Sequence, residues 1–285
     1  MKFRNLLLAF GCLLVFGALG YWYVQAWVVQ KPSGIVVFVS DGMVARHLTI
    51  ARLYKGGADA RLTLESFPAV AMVRNSATDY AVPDDAAAAT AMATGMRVPH
   101  RVVSQNGDGD PMETILKIAR REGRAVGVVS SGSVVSPTAA AFYSNSGDPF
   151  DSSAVAAQLV HGFRPDLLLG GGASDFAPKS KGGLRSDERD LLKELSDQGV
   201  AIVGSKADLE EARLPGEGLI GLFSPGPMAY SDQIQSGTQQ PSLADMVRRA
   251  ILLLQQNRNG YVLVVDAALV THAAQRNEVE RTIRE

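Results

Sequence analysis

Short apolar runs, rich in β-branched residues and separated by helical stretches, constrain this chain more than any other feature. Gly34 to Ser40 reads GIVVFVS and is closed by Asp41 and Gly42; the pattern recurs at Ala125 to Val129, Asp166 to Leu169, Val200 to Val203 and Tyr261 to Val265. A run that is apolar at nearly every position, rather than at every second one, is a strand covered on both faces. Between the runs lie helical stretches. Met112 to Glu122 ends at Gly123, and Asp187 to Gln198 ends at Gly199. Ser242 opens a third, with Asp245 in capping-box position and an apolar stripe through Leu243, Met246, Val247, Ala250, Ile251 and Leu254. Strands alternating with helices predict an α/β fold: a mostly parallel central sheet with helices on both faces.

The composition supports a folded body and removes several function classes. With 285 residues, 46% hydrophobic and 20% charged, the chain can bury one large core or two modest ones. Its 28 Lys and Arg against 29 Asp and Glu leave no basic surplus for nucleic-acid phosphates, so no nucleic-acid partner is expected. Cys12 is the single cysteine and lies in the N-terminal apolar run, which excludes an intramolecular disulfide or a cysteine-held zinc in the body. Phe10 and Gly11 before it, and the apolar run continuing after it, disfavour lipidation.

From Leu6 to Val24 no residue is charged, a length that crosses roughly 30 Å of hydrocarbon as a helix. Lys2 and Arg4 precede this stretch and favour a cytoplasmic N-terminus with the body exported; Tyr21, Trp22, Tyr23 and Trp27 cluster at its far end, where aromatic rings favour the membrane interface. The reading is residues 1–30 as a transmembrane anchor and 31–285 as the body, after a short linker at Lys31, Pro32 and Ser33. The competing reading is a cleaved signal peptide, with Ala18 and Gly20 as small residues at the cleavage site, and then the body is secreted. Both place the body on the periplasmic or extracellular side.

Ligands of open parallel sheets sit beyond the carboxyl ends of the strands. Asp41 follows the first run, Asp266 follows the last, and Asp84 with Asp85 begins a helical stretch from Ala86 to Thr94. Converging carboxylates repel unless a cation or a shared proton intervenes, so a metal site is a hypothesis from the residues alone. Plainer readings stand beside it. Asp84 or Asp85 after Pro83 is an ordinary helix N-cap, Asp41 with Gly42 an ordinary turn, and Gly170 to Gly172 a tight turn without dinucleotide spacing. Ser130, Ser131 and Ser133 around Gly132 match a serine-nucleophile turn only loosely, with no histidine following in context.

In order, the segments VVFVSDGM (Val36 to Met43), PDDAAAATAMATG (Pro83 to Gly95), SPTAAAFYSN (Ser136 to Asn145), DLLLGGGASDF (Asp166 to Phe176) and GYVLVVDAALVTHAAQRN (Gly260 to Asn277) resemble the alkaline phosphatase family. The resemblance implies that family's fold with its C-terminal part missing. It implies an ancestral metal-dependent phosphomonoester hydrolysis, in which a serine at a helix N-terminus attacks, two zinc ions and a magnesium clamp the phosphoryl group, and an arginine holds its oxygens.

Carried across, Asp41 matches the aspartate between the second zinc and the magnesium, Thr138 a magnesium-site threonine, and Asp266 a glutamate on the same ion. Ser136 stands where the family has an aspartate or histidine beside the magnesium, and Asp85 stands in the place of the nucleophilic serine. The first zinc's aspartate and histidine positions read Thr271 and Gln275, and the phosphate-holding arginine aligns with Pro149, with Arg164 nearby on another element. His272 is not a ligand position.

Hard oxygen ligands suit magnesium or calcium, and the zinc sites are largely lost. The resemblance then implies a catalytically impaired, cation- or anion-binding pseudoenzyme. One alternative is a weak phosphohydrolase using one metal and Asp85. Another is a gene fragment without function of its own. The missing C-terminal part implies an uncovered sheet edge, and with it a homodimer or a partner chain supplying the remainder.

Overall fold

The computed structural model describes residues 2–24 and 33–285, which form two units, one in 1–33 and one from Gly34 to Glu285. Trp27 of the aromatic cluster and Lys31 and Pro32 of the linker lie outside the described residues. In the first unit, α1 (Lys2–Tyr23) is apolar over enough length, Phe3–Tyr23, to cross a membrane.

The second unit is built on six parallel strands among the described residues. They are β1 (Gly34–Val39), β2 (Ala125–Ser133), β3 (Leu167–Gly171), β4 (Ala201–Val203), β5 (Leu219–Leu222) and β6 (Tyr261–Asp266), in the order β1-β6-β2-β3-β5-β4. The expected parallel sheet is present, with one addition: β5 is missing from the sequence reading. Its four residues, LIGL, are interrupted by Gly221, a poor strand former. A Cβ there would crowd the ends of two side chains, Phe223 Cζ at 2.6 Å and Leu169 Cδ2 at 2.7 Å. Strand β2 runs on to Ser133, beyond the expected Val129, because hydrogen bonding continues past the last large apolar residue.

Side-chain alternation along the strands divides the core in two. Val126, Val128, Leu168, Ile220, Val262 and Val264 face α4 (Ile115–Arg121), α6 (Ser152–His161) and α7 (Leu191–Asp197), burying Leu116, Leu159, Leu191 and Leu195. Val129, Leu167, Leu169, Leu263 and Val265 face α8 (Lys206–Glu211), α10 (Leu243–Leu254) and α11 (Leu269–Gln275). Each fully buried Leu or Val contributes roughly 1.5–3 kcal/mol. The capping box at Ser242 forms as the spacing predicts, with Ser242 Oγ accepting from Asp245 N at 3.1 Å. Gly123 and Gly199 take positive φ values of 74° and 89° beyond α4 and α7.

The remaining helices are α2 (Ala45–Gly56), α3 (Asp85–Thr94), α5 (Pro137–Ala140), α9 (Ser231–Gln235) and α12 (Val279–Arg284). The β1 margin differs from the rest of the body. Helix α2 buries no residue, Ile35 and Phe38 of β1 are exposed, and residues 69–77 form neither helix nor strand.

Candidate functional site

Strands β1, β6 and β2 share one register, so Val39, Asp266 and Ser130 lie in a row at their carboxyl ends. Asp266 is fully buried. Its Oδ2 accepts a hydrogen bond from Ser130 Oγ at 2.8 Å, and its Oδ1 has no partner. Loss of solvation pushes this carboxyl up to about 7; the Ser130 hydroxyl opposes the shift, and the negative charges of Asp41 and Asp85 add to it. A buried acceptor with nothing to accept from is expensive, so this corner is built for a proton or a cation.

Asp41 sits two residues beyond β1, in a turn closed by Met43 N donating to Ser40 O at 3.2 Å. Gly42 must be glycine on two counts. Its φ is +68°, and a Cβ there would lie 2.4 Å from Thr271 Oγ1 on α11. The turn is thus seated on α11, which fixes where the Asp41 carboxylate points. Thr138 Oγ1 lies 3.5 Å from Asp41 Oδ2, at the outer limit of a hydrogen bond. Ser136, before Pro137 at the start of α5, carries a buried hydroxyl with no partner.

The two aspartates of α3 have separate duties. Asp84 is the N-cap: Oδ1 accepts from Ala87 N at 3.0 Å and Oδ2 from Arg101 N at 2.9 Å. Asp85 is the first helical residue and is exposed as a whole, with Oδ1 accepting from Ala86 N at 2.9 Å. Partial desolvation raises its pKa, against the Ala86 N–H and with help from Asp41 and Asp84. Asp41, Asp85 and Asp266 therefore share one electrostatic neighbourhood.

Among the described residues, no group of three or more His, Cys, Asp or Glu side chains lies close enough to hold a metal. The donor set of Asp41, Asp266 and the hydroxyls of Ser136 and Thr138 is all oxygen, and two of its atoms, Asp266 Oδ1 and Ser136 Oγ, are buried without partners. These residues fit a hard cation. Thr271 Oγ1 is also buried without a partner, beneath Gly42, while Gln275 is exposed.

Other residues fall differently from the sequence reading. Ser130 and Ser131 form no nucleophile turn: Ser130 orients Asp266, and Ser131 Oγ accepts from Leu269 N at 3.1 Å. Of the glycine triplet, Gly172 makes the turn at φ +97°, whereas Gly171 permits close backbone approach, since a Cβ would lie 2.1 Å from Gly226 O. Arg164 is committed to Leu159 O, Gln198 Oε1 and Glu217 O. Arg101, which the sequence reading missed, holds a left-handed backbone at φ +60° and places its guanidinium 4.7 Å from the Phe150 ring centroid and 3.8 Å from Asp148, on either side of Pro149. Its position after His100, far from any motif, gave no signal.

The alkaline phosphatase family model matches residues 33–285. The tissue-nonspecific alkaline phosphatase of Gallus gallus is 29% identical over 302 residues, covering 89% of this chain and 58% of the relative. The crystal structure of Thermus thermophilus alkaline phosphatase superposes with a TM-score of 0.81 at 28% identity, covering 90% of this chain and 54% of that one. A variant of the TAB5 alkaline phosphatase with magnesium bound shares the fold at TM-score 0.75 and 19% identity, covering 89% of this chain and 69% of that one. The chain spans little more than half the length of the first two relatives. With its parallel sheet and the family model matched over residues 33–285, the chain belongs to the alkaline phosphatase family.

Proposed function

We propose that this chain is an alkaline-phosphatase-like domain that holds one hard divalent cation, magnesium in preference to calcium, and turns over phosphomonoesters poorly or not at all. Asp41 and Asp266 supply the carboxylates, with Ser136 and Thr138 as neutral oxygen donors. The observation that carries the reading is Asp266: fully buried, half-satisfied, and raised by loss of solvation first, with the charges of Asp41 and Asp85 adding to it. A bound cation would supply positive charge and polarise an oxygen ligand. Asp85, in the place of the nucleophilic serine, sets a carboxylate at a helix N-terminus, where desolvation and the charges of Asp41 and Asp84 work against its ionisation until a cation arrives, and so takes the place a phosphate group would occupy. Helix α1 is read as an anchor that keeps the body on the outer face of a membrane.

Isothermal titration of the purified chain with magnesium, calcium and zinc tests the proposal. Wild type should bind magnesium, Asp41→Ala should bind at least about tenfold more weakly, and zinc should gain no advantage. Absence of magnesium binding, or an Asp41→Ala variant that binds equally well, refutes it.

A second reading rests on the exposure of Asp85. An accessible carboxylate can accept a phosphoryl group, so hydrolysis of an aryl phosphate in magnesium that disappears in Asp85→Ala would favour a weak phosphohydrolase. The fixed-charge reading expects no such Asp85-dependent turnover.

A further inference from the structure

The amino ends of the strands, opposite the cation corner, border a cavity of about 350 Å³. Ala125, the first residue of β2, lines it, with Leu214 and with Leu253 and Leu254 from the last turn of α10. Asn257, Arg120, Arg124 and Asp166 supply its polar lining. The rim is tied in place by the protein itself. Asn259 Nδ2 donates to Gly123 O at 3.2 Å and Ala125 N to Gly260 O at 3.0 Å, joining the turn after α4 to the loop before β6. Arg249 donates to Leu209 O and Ala212 O, holding the chain that leads to Leu214. A preformed cavity with apolar walls and a few convergent polar groups has the make-up of a small-molecule site.

The charges around it do not cancel. Arg120, Arg124 and Arg164 stand against Asp166 and Glu217, which leaves a surplus of one positive charge. Asp166 is fully engaged: Oδ1 lies 2.9 Å from Arg120 Nη2, and Oδ2 accepts from Val126 N at 2.7 Å. Arg120 Nη2 also donates to Arg164 O at 3.0 Å, while its Nε is buried with no acceptor, so this guanidinium is fixed in place without being fully paired. Burial holds Arg164 below its ordinary pKa; Glu217 opposes that shift, and the like charge of Arg120 adds to it. Arg164 donates to Leu159 O, Gln198 Oε1 and Glu217 O, so the guanidinia on the cavity are those of Arg120 and Arg124.

We propose that this cavity binds a small aromatic monocarboxylate, its acid group on Arg120 and Arg124 and its ring against Leu214, Leu253 and Leu254. A planar head with two oxygens matches the guanidinium fork. A single negative charge matches the surplus, whereas a phosphate monoester brings nearly two. A cavity of about 150 Å³ holds benzene, so this one has room for a ring together with its acid group. Strand β6 runs from this end at Tyr261 to the cation corner at Asp266, roughly 17 Å at the rise of a strand, so the two sites are separate.

The test titrates benzoate calorimetrically into the full chain in detergent micelles, with the heat of empty micelles subtracted. Chelator is present throughout, so no cation at Asp41 and Asp266 can hold the carboxylate, and the outcome is independent of magnesium binding. Wild type should bind benzoate with a dissociation constant below about 1 mM. Neutral benzamide should bind at least about tenfold more weakly. Asn257→Asp keeps the shape of the side chain and an oxygen for Asn259 N, now 2.8 Å from Asn257 Oδ1, while cancelling the charge surplus. It should weaken benzoate at least about tenfold and leave benzamide unchanged. Arg120→Met should lose benzoate as well, but it also strips Asp166 of its ion pair, so Asn257→Asp is the deciding variant. Absence of benzoate binding, equal binding of benzamide, or an Asn257→Asp variant that binds benzoate as wild type does overturns the proposal. Tighter binding of phenyl phosphate than of benzoate overturns the match of charge on which it rests.

Discussion

At the β4 end of the sheet, Ile202 packs into one half of the core with Leu195 while Ala201 and Val203 pack into the other with Leu209, so even a three-residue edge strand is closed in. At the β1 end, Val36 and Val39 reach the same two cores, but Phe38 and Ile35 do not, and α2, packed on α12, buries no residue. The closed end is finished by its own helices. The open end carries Asp41, and the site lies between it and the closed body. Residues set in the closed body, Asp266, Ser130, Ser136 and Thr138, are positioned by packing; Asp41 is positioned by one turn resting on Thr271.

Substitutions that act on one end and spare the other test that contrast. The largest effect belongs to the closed body: Leu168→Ala on β3 should cost about 2–5 kcal/mol in denaturant unfolding, because a side chain with no exposure leaves a cavity. Asp266→Asn comes next. The folded-state pKa is raised from 3.8 to about 7, so between those values the native protein holds a proton the unfolded chain releases. Metal-free wild type should therefore lose stability as pH rises from about 4 to 7, on the order of 4 kcal/mol, and stay low above it. The asparagine variant should show no such slope when melts in chelator are compared across that range. If both proteins behave alike, Asp266 is not the strained corner described here.

Gly42→Ala probes the boundary itself. A positive φ and the contact with Thr271 should together cost about 1–3 kcal/mol, and magnesium affinity should fall with it because Asp41 moves. Asp84→Ala removes an N-cap and the acceptor for Arg101 N, for about 0.5–2 kcal/mol in the same unfolding assay. Smallest is Phe38→Ala on the open margin, expected below about 1 kcal/mol in the isolated chain despite the size of the ring. A loss comparable to Leu168→Ala would mean that the margin is covered after all.

Strand runs such as YVLVVD were legible because a sheet buried on both faces demands unbroken apolar residues, and Ser242 with Asp245 announced its helix through capping chemistry. The acidic positions Asp41, Asp85 and Asp266 were legible because strand ends are where such sheets place ligands. Strand β5 was hidden by Gly221, where a Cβ would crowd Phe223 and, on the neighbouring strand, Leu169, a contact distant in sequence. Ser130 was visible as a residue but not as a partner: only the register of β2 against β6 brings it to Asp266. Arg101 required knowledge of a loop path, which no periodicity encodes.

The seating of Gly42 on Thr271 also bears on what an acidic residue at position 271 would do. The resemblance puts a zinc-binding aspartate there, and the step Thr271→Asp would replace a buried, unpartnered hydroxyl with an anionic side chain beneath the Asp41 turn. Made alone, the step sets two like charges close together with no cation to separate them. Only the simultaneous gain of further ligands would offset it. On the proposed one-cation reading, an aspartate introduced at 271 by itself should therefore disturb the Asp41 turn rather than add a metal site.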